Sequence, residues 1–212
     1  QLNNNFLMYE NIGTSSDPDY YHTSDNFLGS LDLLSNVVPE FADIDDDGDL
    51  DFFVGQDFTT ISNPTMGRIY QFEHEEIFEI TLTLLDSMLL GDQIGLSLHP
   101  EFIDIDSDED LDLFVGDYNG RISYFENIGS SSHAIFSDQQ YLENIDLSFF
   151  SAPEFCDIDS DGDYDLFIGS NYGGLDYFEN IGTSFEYSFL ESDFILPDIN
   201  HYTRTAFEFI DL

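Results

Sequence analysis

A chain of 212 residues that is 42% hydrophobic and 16% aromatic can bury a sizeable core, which excludes a disordered acidic tail. Its 45 acids stand against three Arg and no Lys, a formal net charge of −42, so the basic face that nucleic acid or an anionic membrane demands is missing. No stretch is long and apolar enough to span a bilayer, so membrane insertion is not expected. No signal peptide is visible, which marks a mature chain or a piece of a longer one.

The chain opens on Phe6-Leu-Met-Tyr-Glu-Asn11-Ile-Gly-Thr, which reads as a strand followed by a turn. The first complete unit follows: a Pro-Glu-Phe strand from Pro39, an acidic loop, the strand Leu-Asp-Phe-Phe-Val-Gly55, a third strand Gly67-Arg-Ile-Tyr-Gln-Phe-Glu-His74, and a fourth expected at Phe78 to Leu85. The same motif returns at Pro100 to Gly116 and at Pro153 to Gly169, with third strands beginning at Gly120 and Gly174 and a further fourth strand expected at Tyr141 to Leu147. Asp43 to Asp104 is 61 positions, Asp104 to Asp157 is 53, and the extra eight lie in Gln56 to Met66. That segment is a polar, Pro-containing insertion at a hairpin tip, where ligand contact and harmless extra length both fit. The chain closes on Phe207-Glu-Phe-Ile-Asp211-Leu, the opening of another unit, since Asp211 stands 54 positions after Asp157. Period-two alternation, dense aromatics and regular Gly turns predict β-structure throughout, four strands to a unit.

Each acidic loop places carboxylates at positions 1, 3, 5, 7 and 9. These are Asp43, Asp45, Asp47, Asp49 and Asp51 in the first loop, Asp104, Asp106, Asp108, Asp110 and Asp112 in the second, and Asp157, Asp159, Asp161, Asp163 and Asp165 in the third. The loops hold six, six and five acids, 17 of the 45. Alternate acids on a curled loop aim oxygens at one centre, and hard oxygen ligands select calcium over softer metals. Asp and Gly also favour turns on their own account, but carboxylates this close, three times in register, repel unless neutralised. Positions 1, 3, 5 and 9 are read as side-chain ligands and position 7 as a backbone carbonyl, so about three calcium ions are expected. Position 6 is Gly48 and Gly162, but Glu109 in the second loop. Glu109 must strain into the left-handed region or reshape the loop. An EF-hand would carry Glu at position 12 and continue as a helix. Here position 12 is Val54, Val115 and Ile168, inside β-rich runs.

The remaining features point away from catalysis. His22, His74, His99, His133 and His201 match no metal-ligand spacing, and no nucleophile elbow or phosphate loop is present. With the clustered acids assigned to calcium, no enzyme is expected. Arg68 and Arg121 follow equivalent turn glycines and belong to the repeat. The lone Cys156 stands where the other units have Ala42 and Ile103, so a small core residue without a disulfide is expected. Tyr20, Tyr21, Tyr118 and Tyr172 are candidates for stacking on sugars. Weak acidic loops stay filled in millimolar extracellular calcium, so a secreted or cell-surface protein is expected.

The loop, the following Leu-Phe-Val-Gly and the Tyr-Phe-Glu-Asn-x-Gly strand resemble the FG-GAP/VCBS repeat, the blade of integrin alpha-chain propellers and of many bacterial surface proteins, over nearly the whole chain. The departures are Glu109 and the His74-Glu75-Glu76 sequence that replaces Asn-Ile-Gly. The resemblance implies an all-β, β-propeller-type array of four-stranded blades with calcium at each blade edge, three full repeats and two partial terminal blades. The approximate units are 1–35, 36–90, 91–146, 147–200 and 201–212. It implies a role in adhesion or recognition of a surface protein or glycan, while the partial terminal units lead to an expectation of self-association, with a filament as one form, or of a part of a longer surface protein. A glycan- or protein-recognition module is the alternative to a structural protein, and a polysaccharide-active enzyme a distant third.

Overall fold

The structure is a computed structural model that describes residues 7–24, 35–58, 66–74, 82–86, 95–142, 145, 147, 149–171, 174–192, 207 and 209. Among the described residues all regular structure is β. Strands β1 (Met8–Asn11) and β2 (Tyr20–Ser24) form an antiparallel pair. Three four-stranded antiparallel sheets follow in chain order. The first holds β3 (Ser35–Ala42), β4 (Asp51–Phe58), β5 (Met66–His74) and β6 (Leu82–Asp86). The second holds β7 (His99–Ile103), β8 (Asp112–Gly116), β9 (Ile122–Phe125) and β10 (Gln140–Tyr141). The third holds β11 (Ser151–Cys156), β12 (Asp165–Ser170), β13 (Leu175–Asn180) and β14 (Phe189–Ser192). Each is a meander in which sequence neighbours are sheet neighbours.

The sheets pack on one another, and the sequence of the second strand explains how. The segment Asp112-Leu-Phe-Val-Gly116 is buried on both faces, which requires a continuous apolar run in place of alternation. Leu113 and Val115 join Phe53, Ile69, Leu98 and Phe102 in a core between the first and second sheets. Phe114 points the other way, to Phe155, Leu166, Ile168 and Phe178 between the second and third. Ring contacts tie both cores: Phe53 to Phe102 at 4.3 Å and Phe114 to Phe155 at 4.6 Å between centroids. Close backbone approach accounts for Gly55 within β4 and Gly116 at the end of β8. A Cβ at Gly55 would run into the Leu98 carbonyl, and one at Gly116 into that of Ser151, each on the approach to the next sheet.

The connections are held by polar bonds that also join consecutive sheets. Ser151 N donates to Asp117 O (3.0 Å), Ser151 Oγ donates to Arg121 O (2.8 Å), and Asp117 N donates back to Ser151 Oγ (2.9 Å). Arg121 pairs with the buried Asp117 at 2.7 Å and lies over the Tyr141 ring at 5.0 Å, so it acts as a clamp on its own turn.

Two expectations need revision in detail. Of the fourth strand expected at Tyr141 to Leu147, the described residues show β10, followed by backbone bonds from Leu142 N to Ile122 O (3.1 Å) and from Leu147 N to Gly120 O (3.2 Å), while Leu142 and Ile145 bury in the second core. The inserted segment lengthens a hairpin: Gln56, Asp57 and Phe58 continue β4 and pair with Arg68, Gly67 and Met66. Its tip, residues 59–65, lies outside the described residues, as do Phe78, Tyr172, His201 and Asp211. Where the first strands β3, β7 and β11 come together they line a cavity of about 460 Å³, with Pro39, Pro100 and Pro153 at equivalent places and Phe207 and Phe209 beside them.

Candidate metal centre

Every acidic loop joins the first strand of a sheet to the second, and all three are built alike. Position 1 folds the loop over its own carboxylate. Asp43 accepts from Asp47 N and Gly48 N at 3.2 and 3.1 Å, Asp104 from Asp108 N and Glu109 N at 3.0 and 3.2 Å, and Asp157 from Asp161 N and Gly162 N at 3.1 and 3.2 Å. Position 5 then accepts from the amide of position 7: Asp47 from Asp49, Asp108 from Asp110, and Asp161 from Asp163, at 3.0 to 3.2 Å. Position 9 opens the second strand and is buried, with Asp112 accepting from Asn127 N at 2.7 Å and Asp165 from Asn180 N at 2.8 Å.

The tight curl needs the left-handed region twice. Position 6 has φ of 94° at Gly48 and 97° at Gly162, and Glu109 adopts 75° in the same place. Of the two outcomes open to Glu109, the backbone takes the strain, at a cost of about 1–2 kcal/mol, and the hydrogen-bond pattern of the loop is kept. Position 4 is left-handed as well, at Asp46 (55°), Ser107 (57°) and Ser160 (64°). Nothing in the residue types at position 4 announces that conformation. Position 2 anchors the first two loops to the protein, with Ile44 in the core between the first and second sheets and Ile105 in the next one, whereas Ile158 in the third loop is exposed.

This folding gathers positions 1, 3 and 5. One carboxylate oxygen each from Asp43, Asp45 and Asp47 lie within 4.8 Å of one another, as do those of Asp104, Asp106 and Asp108, and of Asp157, Asp159 and Asp161. A hard cation with bonds of about 2.3–2.6 Å can touch all three oxygens of such a set. Position 9 enters a second grouping in the first sheet, Asp45 with Asp51 and Glu73. Glu73 comes from β5, and loop spacing alone misses it. The signal in the sequence is the Phe-Glu pair at or just past the end of each third strand, with Glu73, Glu126 and Glu179. At position 7, Asp49 is half-buried, while Asp110 and Asp163 are only 7% and 9% exposed.

These groups fit a cation. Oδ1 of Asp106, of Asp110 and of Asp163 is sealed from solvent with no hydrogen-bond partner, an arrangement that is costly for an ionised carboxylate left alone. Burial pushes the Asp112 carboxyl up to about 7. Burial and the neighbouring Asp108 push Asp110 up to about 6. Burial raises Asp45, Asp106, Asp163 and Asp165 in the same direction, with the charges of Asp47, Asp108 and Asp161 adding to the first three.

A pH dependence of opposite sign with and without metal follows. In the metal-free protein a carboxyl raised from its ordinary range to about 7 binds its proton more tightly folded than unfolded. Its stabilising contribution is complete below about pH 4 and is lost as pH rises through 7. The melting temperature in chelator is therefore expected to fall between pH 5 and 8. With a saturating divalent cation it is expected to rise over the same range, because protons no longer compete for the ligands. Thermal melts at both pH values in each condition check this, and parallel slopes would contradict it.

Among the described residues the other candidates do not converge. His22 packs on Tyr9 and His99 on Phe150, at 5.1 and 4.7 Å between ring centroids, and His133 is exposed in a turn. Tyr20 and Tyr21 are exposed on β2, and Tyr118 is partly covered by Phe149. Cys156 ends β11 half-buried with its thiol free. No family model and no curated protein sequence matches the chain.

Proposed function

We propose that the chain is a calcium-stabilised structural or adhesive repeat protein of the FG-GAP/VCBS type, working outside the cell through shape and contact and catalysing no reaction. The observation that carries this reading is the threefold recurrence of one loop with the same hydrogen bonds and the same convergence of three carboxylates. Calcium is favoured because it accepts six to eight oxygens in flexible geometry, whereas magnesium demands a near-ideal octahedron. Asp43, Asp45, Asp47 and Asp51 would hold the first ion with the carbonyl of Asp49, and the corresponding residues of the other loops would hold two more. Bound calcium supplies positive charge that fixes the loop between two strands.

A β-propeller is the architecture this reading favours. Its support is the run of four-stranded meanders packed face to face and the meeting of their first strands around a cavity. Millimolar calcium outside cells would keep loops of modest affinity filled. Contact with a second copy or with a surface protein or glycan is supported by apolar side chains left exposed at equivalent turns, Ile12, Ile128 and Ile181, which favour association when several line up. Electron microscopy of the purified chain in calcium and in EDTA tests the structural role. Assemblies or defined particles that come apart on chelation are expected. Particles indifferent to EDTA, together with selective capture of one glycan on an array, would replace the structural role with recognition.

A further inference from the structure

We propose that Glu73, Glu126 and Glu179 complete the three cation centres, so that each centre is built from two elements, the acidic loop and the third strand of its own sheet. This rests on the calcium reading above and extends it beyond the loop.

In the first sheet the oxygens are already together, one each from Asp45, Asp51 and Glu73 lying within 4.8 Å of one another, and Asp45 also belongs to the triad of the loop. The two groupings therefore share a carboxylate and adjoin. Strand register carries the arrangement to the other sheets. Phe52 pairs with Phe72, Leu113 with Phe125 and Leu166 with Phe178, so Glu73, Glu126 and Glu179 each stand one residue beyond an equivalent pair, and Asp51, Asp112 and Asp165 one residue before it on the neighbouring strand; among the described residues the oxygens are gathered in the first sheet. Like charges directly opposite on neighbouring strands are destabilising. Here the same sequence placement recurs three times, always beside a loop that gathers carboxylates. In the second sheet Glu126 acts electrostatically on Asp106, the residue whose Oδ1 is sealed without a hydrogen-bond partner.

The chemistry of the ion leaves a place for a further residue. A helical calcium loop takes a bidentate Glu from position 12, but position 12 here is Val54, Val115 or Ile168, fully buried in the second strand. Four carboxylates binding through one oxygen each and one carbonyl supply five of the six to eight oxygens calcium takes, which leaves room for a further carboxylate. A glutamate from the adjacent strand fills the vacancy that the apolar position 12 leaves.

The test is a calcium titration of Glu73→Gln, Glu126→Gln and Glu179→Gln, each made singly in the full chain, beside Asp138→Asn as a control for charge at an exposed position outside the loops. Each Glu→Gln variant is expected to retain three equivalents and to weaken one by about 10–100-fold, with the control unchanged. Terbium luminescence lifetimes give a second readout: loss of a glutamate ligand admits water to one ion and shortens its lifetime. Unchanged affinity and lifetime, or a shift no larger than that of Asp138→Asn, would overturn the proposal while leaving the loop sites standing. Failure of the calcium reading itself would appear separately, as a native chain that takes up no calcium.

Discussion

Chelation by EDTA is expected to lower the melting temperature of this protein more than any single substitution. An ion present at one hundred times its Kd adds about 2.7 kcal/mol to stability. A domain of this length moves by about 2–4 °C per kcal/mol, so one filled loop is worth roughly 5–10 °C and three roughly 15–30 °C. The size of the effect follows from where the loops sit. Each connects the first two strands of a sheet, and through Ile44 and Ile105 the first two loops also insert into the cores between sheets. Losing the ion leaves carboxylates such as Asp110, buried and without a donor on Oδ1, to repel their neighbours. Scanning calorimetry in calcium and in EDTA at neutral pH checks this, and coincident melts would contradict it.

The second large effect is expected from Phe114→Ala. The ring is fully buried and sits 4.8 Å from Tyr124 in its own sheet and 4.6 Å from Phe155 in the next, with Tyr187 edge-on. Truncating a buried Phe to Ala costs about 3–5 kcal/mol, part in lost transfer and part in the cavity left behind. Because Phe114 belongs to the core shared by the second and third sheets, the loss is expected to shift the unfolding of both together. Urea denaturation followed by tyrosine fluorescence would give the total, and amide hydrogen exchange its distribution. A loss below about 1 kcal/mol, in the range of volume-conserving swaps, or exchange that changes only within β7–β10, would contradict the packing described.

Much of this was legible before any coordinates. Repetition made it so: a motif that returns at Pro39, Pro100 and Pro153 fixes which residues are equivalent, and the loops and flanking strands fell where the spacing placed them. What the spacing could not reveal depends on register or on backbone conformation. Glu73 reaches the loop only because Phe52 pairs with Phe72. The left-handed turns at Asp46, Ser107 and Ser160 are imposed by loop closure and not by residue type. Leu142 and Ile145 are drawn into a core between sheets, a tertiary placement that local pattern does not reveal. Glu109 departs from the glycine of its two counterparts, yet the loop keeps its form because the strain is smaller than the gain from two amides closing on Asp104.

The most direct measurement is a calorimetric titration of calcium into the metal-free chain, repeated with magnesium. Three equivalents of calcium, bound in strong preference to magnesium and one fewer in Asp157→Ala, are the result this account predicts. A chain that takes up no calcium, or that binds magnesium equally well in proportion to its charge, would contradict it.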